Sequence, residues 1–112
     1  MLSRRTGYLC AIALLTFLPG SSQVSTRRVR GLVTDKRGNA LIGAVVLLEN
    51  TQDLSVRSFI TQKDGLYHFD GLNTDVDFTL KAHYKNWWSH PHMLSKFNES
   101  RDPEVKLVIP ID

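Results

Sequence analysis

The chain has 112 residues, of which 42% are hydrophobic and 22% are charged, and it carries a formal net charge of +3. This length favours a single domain and leaves little room for a cofactor cleft between two domains. The composition is that of a globular chain and excludes an intrinsically disordered one.

The first 22 residues are typical of a secretory signal peptide. Arg4 and Arg5 precede an apolar run over residues 9–18, which Pro19 ends. This run is too short to cross a bilayer as a helix, which takes about 20 residues. We therefore predict a cleavable signal over residues 1–22, a secreted or periplasmic protein, and no transmembrane segment in the mature chain.

Loss of the signal changes the charge and the cysteine content. Removing Arg4 and Arg5 leaves 12 Lys and Arg against 11 Asp and Glu, so the net charge falls from +3 to +1. A nearly neutral chain has little electrostatic attraction for phosphate backbones, and no nucleic-acid partner is expected. Cys10, the single cysteine, leaves with the signal, so the mature chain has no disulfide.

The rest of the chain alternates apolar and polar residues with a period of two, which is typical of strands. Residues 23–28 are predicted to form a flexible arm and residues 29–112 one domain. Asp64-Gly65 is predicted to close a hairpin between the third and fourth strands. Short strands with frequent turns favour an all-β fold, a seven-stranded antiparallel β-sandwich of Greek-key type. The seven predicted strands begin at Val29 and then cover residues 43–48, 56–61, 66–70, 76–84, 93–97 and 104–111.

Two motifs then resemble those of a known family. They are Val29-x-Gly31-x-Val33-x-Asp35 with Gly38 to Val46 after it, and Thr61-x-x-Asp64-Gly65-x-Tyr67-x-Phe69-x-Gly71. Together they resemble carboxypeptidase regulatory-like domains, also called peptidase-associated domains. The resemblance implies a transthyretin-like sandwich. The chain lacks the His-x-x-Glu pair that a zinc carboxypeptidase needs, and we predict a non-catalytic protein with no cofactor and no metal.

One group of residues suggests a ligand-binding site. Neighbouring side chains of an extended segment point to opposite sides, so either Trp87 or Trp88 is expected near the surface. Tyr84, His90 and His92 are the candidate neighbours of that indole, and an exposed aromatic ring can stack on a sugar. A carbohydrate-binding module that uses these residues is therefore the alternative function. The main alternative is that each of these residues has only a structural role, either in a loop or at the end of the core.

A second group suggests a protein interface. If Val33 and Val46 point into the core, strand alternation turns Leu32, Val45 and Leu47 outwards. Apolar side chains on a solvated face usually mark a contact surface, although cover by residues 85–97 would also explain them. The function predicted first is therefore a non-catalytic accessory or interaction domain of the cell envelope. Its partner is expected to be another envelope protein or a second copy.

Overall fold

The computed structural model describes residues 25–98 and 100–111, which form a β-sandwich of two sheets with no helix in these ranges. The predicted signal peptide lies outside the described residues. The all-β sandwich is confirmed, with eight strands where seven were predicted. The strands are β1 (Thr26–Thr34), β2 (Val45–Asn50), β3 (Val56–Ile60), β4 (Leu66–Asn73), β5 (Phe78–Tyr84), β6 (Trp87–Trp88), β7 (His92–Leu94) and β8 (Leu107–Val108).

The two sheets differ in size. The smaller has the order β4-β1-β8, and the larger has the order β3-β2-β5-β6, with β7 also paired to β5. All pairs are antiparallel except β1 with β8, which is parallel, so a purely antiparallel sandwich is wrong at this position. The extra strand arises around Ser89, whose N–H donates to the Ala82 carbonyl and whose Oγ accepts from the Ala82 N–H. These bonds hold the segment between β6 and β7 against β5.

The core lies between the sheets and follows the predicted alternation. Val29 and Val33 of β1 are buried, as are Tyr67 and Phe69 of β4. The facing sheet contributes buried alternate residues of β2 and β5, which are Val46, Leu48, Phe78, Leu80 and Ala82. Burying apolar area of this kind is the main force that holds two sheets together. Strand parity therefore predicted most of the core.

The Asp64-Gly65 turn does not close a hairpin. Gly65 has φ 72°, as a left-handed turn residue requires. However, β3 before the turn pairs with β2, while β4 after it pairs with β1. The turn therefore passes the chain from one sheet to the other, and the hairpin prediction is wrong. The Gly65 carbonyl accepts the Val33 N–H at 2.9 Å, which fixes the turn against β1.

The predicted arm is also partly wrong, because residues 26–28 belong to β1. Arg27 is buried and ties this strand to the segment after β7. Its guanidinium donates to the carbonyl of Asn98 at 3.2 Å and to that of Leu94 at 3.5 Å. Burial lowers the pKa of Arg27, and the nearby charge of Asp77 opposes this effect. A buried cation is stabilised only by such partners, so the arm is ordered where the sequence suggested a loose end.

β1 approaches the last part of the chain very closely at Gly31. A Cβ on Gly31 would lie 1.7 Å from the Val105 carbonyl oxygen, so no larger residue fits. The Tyr67 hydroxyl donates to the same oxygen at 2.6 Å. This contact fastens the 104–109 segment onto the smaller sheet, where β8 forms.

Candidate interaction surface

The outer face of the five-stranded sheet carries rows of side chains that run across its strands. Residues opposite each other in antiparallel strands share a face, so the pairing defines each row. These side chains form what we call the outer face. The first row is Ile60, Val45, His83 and Trp88, the second is Ser58, Leu47 and Lys81, and the third is Val56, Glu49, Thr79 and Met93.

The outer face is rich in exposed apolar side chains. Ile60 is 57% exposed, Val56 and Met93 are each 55% exposed, and Trp88 is 47% exposed. Half-buried Leu47 lies in the row between them. Exposed apolar residues scattered singly are normal, but several on one flat face mark a contact site. This is the surface on which the described residues offer most to a partner.

Trp88 forms the aromatic end of the outer face. The centroid of its ring lies 4.5 Å from that of the His83 ring, with the planes inclined at 42°. The Lys81 Nζ lies 5.0 Å from the Trp88 ring centroid, a cation–π distance. These contacts hold the indole against β5 and leave half of its surface open. The same end combines an apolar ring with a positive charge.

The three predicted interface residues do not lie on one surface. Val45 and Leu47 belong to the outer face. Leu32 is opposite Leu66 on the outside of the smaller sheet, on the other side of the sandwich. Strand parity correctly placed each side chain outwards, but it could not indicate which sheet each strand would join. A single interface that includes all three is therefore wrong.

The five predicted ligand residues are also divided. Trp88 lies on the outer face, whereas Trp87 is opposite Tyr84, which packs against the core. His92 is opposite the buried Leu80, and so it too belongs to the inward-facing side of the sheet edge. His90 is exposed, and its carbonyl accepts the Ser89 hydroxyl. Only Trp88 remains as a stacking platform on the outer face.

The smaller sheet has a groove of about 760 Å³ on its outer side, between β1, β4 and residues 104–106. Most of its charged side chains have partners. Arg30 contacts Glu104 at 3.2 Å and Asp102 at 3.7 Å, and Asp70 lies 3.6 Å from His68. A groove whose charges are largely matched internally exerts little selective attraction on a charged ligand, so it is the weaker candidate site.

The described residues show neither a metal-ligand cluster nor a membrane-spanning helix. No three His, Cys, Asp or Glu side chains come together there as ligands for a metal ion. In the same ranges there is no helix both long and apolar enough to span a membrane.

Comparison with known families agrees with the fold. The pattern of the carboxypeptidase regulatory-like domain matches residues 28–93, more than half of the chain. The chain belongs to the carboxypeptidase regulatory-like domain family. The match covers β2 to β6 and most of β1 and β7, so the outer face of this regulatory-like domain lies within it. No curated protein matches the chain.

Solved structures share the fold of this regulatory-like domain at low identity. Chlorocatechol 1,2-dioxygenase from Pseudomonas putida has a TM-score of 0.54 and 11% identity over 75% of this chain and 59% of its own. The dioxygenase domain of a carbohydrate-binding fusion protein from Streptomyces sp. SirexAA-E has a TM-score of 0.55 and 13% identity, covering 83% and 86%. The pilus 2b backbone protein of group B streptococcus has a TM-score of 0.54 and 14% identity over 80% of this chain and 43% of its own. The regulatory-like domain thus spans less than two thirds of the first and third of these chains, and the likeness is one of fold alone.

Proposed function

We propose that this regulatory-like domain is a non-catalytic accessory domain that is exported to the cell envelope and binds another envelope protein through the outer face. The observation that supports it is the exposed apolar set of Val56, Ile60, Met93 and Trp88 on one flat sheet surface. Export rests on the signal-like pattern of residues 1–22. The fold shared with a pilus backbone protein is compatible with a role in protein contacts.

The dimensions of the outer face fit a modest interface. Four strands spaced about 4.8 Å apart, with five residues each at about 3.4 Å, give a face of about 300 Å². Stable complexes usually bury about 800 Å² on each partner. A partner that covered only the outer face of one copy would therefore bind weakly and reversibly. Its affinity would come mainly from the apolar side chains of the first and third rows, with Leu47 at the centre between them.

A charge placed in this centre tests the proposal. Envelope extract is passed over the immobilised wild-type protein, over Leu47→Lys and over Leu66→Lys, and the captured protein is then purified and titrated directly. Leu66 is 54% exposed on the smaller sheet, so its variant adds the same charge on the other side of the domain. We expect Leu47→Lys to lose binding and Leu66→Lys to retain it. Equal binding by both variants would exclude the outer face as the binding surface.

A second function, glycan binding, is favoured by one observation, the half-exposed indole of Trp88 beside Lys81 and His83. A flat aromatic face next to polar groups can stack on a sugar ring while these groups bond its hydroxyls. Affinity electrophoresis in gels that contain polysaccharides tests this directly. We expect Trp88→Ala to abolish any retardation and Trp87→Ala, on the other side of the strand, to preserve it. If no polysaccharide retards the wild-type protein, the glycan function is lost.

A further inference from the structure

β3 is an edge strand whose outward backbone groups can be identified. Thr61 exchanges backbone bonds with Gly43 and Ala44, just before β2, and at the other end of β3 the Ser55 carbonyl accepts the Asn50 N–H. Antiparallel pairing alternates, so the odd-numbered residues of β3 bond to β2. The N–H and C=O groups of Val56, Ser58 and Ile60 therefore point away from the sheet. Within the described residues, these six backbone groups form one hydrogen bond, in which the Gln62 side-chain amide donates to the Ile60 carbonyl at 3.1 Å.

The other strand edges are less suited to pairing. The segment of β6 and β7 contains Pro91, which has no N–H to donate. β8 has only two residues. On β4, the carbonyl of Asp70 accepts a bond from Arg57 at 2.9 Å, and the charged Asp70 itself stands on this edge, which is a common block to strand pairing. Among the described strands, β3 is thus the edge best suited to a partner strand, because its outward-pointing residues are uncharged.

The usual protection of an edge strand is missing from β3. Natural edges are commonly blocked by a charged side chain, a proline or a bulge. The only charged residue of β3 is Arg57, and its guanidinium lies 5.5 Å from the centroid of the Phe69 ring, on the inner side of the sheet. Arg57 is exposed, but its guanidinium donates to the Asp70 carbonyl of β4 at 2.9 Å, which holds the charge on the β4 side of this edge. The remaining residues are Val56, Ser58, Phe59 and Ile60.

We infer that the occupant of this edge is a second copy of the same chain, with two β3 strands paired antiparallel about a two-fold axis at Ser58. In this register Val56 is opposite the partner's Ile60, and Arg57 is opposite the partner's Phe59. Like charges directly opposite each other would destabilise the pair, and this register places none opposite each other within the strands. Ser58 is opposite its own copy. The side chains of β3 are therefore compatible with those of a second, antiparallel β3 strand.

The charges at the two ends of β3 support the same arrangement. Asp53 precedes the strand and Lys63 follows it, and both are exposed. Hydrogen bonds from the Ser55 backbone and side chain hold the pKa of Asp53 below its usual range, so it stays ionised. The two-fold axis brings the Asp53 end of one copy beside the Lys63 end of the other, twice per dimer. Local attraction between Asp53 of one copy and Lys63 of the other favours the antiparallel register, while the neighbouring exposed Asp64 removes a net charge from that end at longer range.

The ladder would form about six backbone hydrogen bonds, two for each of three narrow pairs. The Gln62 amide must first release the Ile60 carbonyl, a small cost because that bond is exposed. The dimer joins the two larger sheets into one and makes the outer face continuous across both copies. This pairing uses the strand edge, so it goes beyond the proposed envelope partner and does not depend on it.

Opposite charges placed at Ser58 test the two-fold register. In Ser58→Lys or Ser58→Asp, two like charges meet at the axis, and we expect each variant alone to dimerise at least about tenfold more weakly. An equal mixture of the two variants should recover a heterodimer, measured by sedimentation equilibrium with one species labelled. Leu66→Lys is the matched control for an added surface charge. A wild-type protein that stays monomeric at all soluble concentrations, or a mixture that fails to associate, would overturn the inference.

Hydrogen exchange of the wild-type protein gives an answer that needs no variant. The amides of Arg57 and Phe59 bond within the sheet, so we expect them to be protected at every concentration. The amides of Val56, Ser58 and Ile60 should become protected only as the concentration rises through the dissociation constant. If these three amides exchange at the same rate at every protein concentration while the protein dimerises, the dimer uses another surface. Dimerisation through the β3 edge should survive Leu47→Lys, which is expected to abolish partner capture by the outer face, and this separates failure here from failure of the proposed function.

Discussion

Removal of the hydrogen bond between Tyr67 and Val105 should lower the free energy of unfolding by an amount that follows from the burial of both groups. The phenol is almost fully buried, and its hydroxyl lies 2.6 Å from the Val105 carbonyl oxygen. Tyr67→Phe keeps the ring and removes only the donor. A buried acceptor left without a partner costs about 1–3 kcal/mol, so we expect a loss of this size in the free energy of unfolding. For a domain of this length each kcal/mol lowers Tm by about 4–8 °C.

The effect of pH gives this prediction a second signature. Burial raises the pKa of the Tyr67 phenol above its ordinary value of 10.0. A group whose pKa is raised in the folded state stabilises fully below the unfolded pKa and loses this contribution as the pH rises. The stability difference between wild type and Tyr67→Phe should thus be constant below about pH 9 and shrink above about pH 10.

Urea unfolding of both proteins at several pH values measures these quantities. Tyr84→Phe is a suitable control, because Tyr84 is only half-buried and has a cation, Lys85, 5.4 Å from its ring. A loss for Tyr67→Phe below about 0.5 kcal/mol would show that water or a shifted carbonyl replaces the bond, and the reasoning from burial would be refuted.

Three further substitutions test other contacts of the fold by the same measurement. Gly31→Ala should destabilise by about 3 kcal/mol or more, because its Cβ would overlap the Val105 carbonyl oxygen; a smaller loss would mean that the 104–109 segment moves freely. Thr61→Val, nearly equal in volume, should cost about 1–3 kcal/mol by leaving the buried Ala44 N–H without its 2.9 Å acceptor, and an unchanged midpoint would contradict this. Gly65→Val should cost about 2 kcal/mol or more, since φ is 72° and a Cβ would lie 2.9 Å from a β1 carbonyl oxygen; Gly38→Val, with a positive φ but open space, separates strain from collision.

The alternation of apolar and polar residues predicted the core, because burial in a strand depends mainly on which side of its own strand each residue lies. Val29, Val46 and Leu80 are buried as their strand patterns indicate, whichever strands become neighbours. The outer face needed more information. Val45, His83 and Trp88 form one row only because β2, β5 and β6 are adjacent, and neighbours in a sheet are not set by local sequence.

The errors have the same origin. Asp64-Gly65 has the local chemistry of a hairpin, but β3 and β4 are separated by the tertiary pairing of each with another strand. Leu32 points outwards as predicted, yet it lies in the other sheet from Leu47. Between residues 84 and 93 only a loop or an edge segment was expected, since Pro91 argues against a central strand, yet Trp87 and Trp88 pair with β5. The bonds of Ser89 to β5 accommodate that proline just beyond the pair.

The buried guanidinium of Arg27 sets the domain boundary. The pattern of the family is first matched at residue 28, so a protein trimmed to the match would begin one residue too late. It would lose the donor that holds the carbonyls of Leu94 and Asn98, and the closing segment after β7 would detach from β1. The smallest stable unit should therefore start at or before Arg27. If the predicted signal is cleaved after residue 22, only a few residues would separate the cleavage site from the folded sandwich, and export and folding of β1 would involve nearly adjacent stretches of chain.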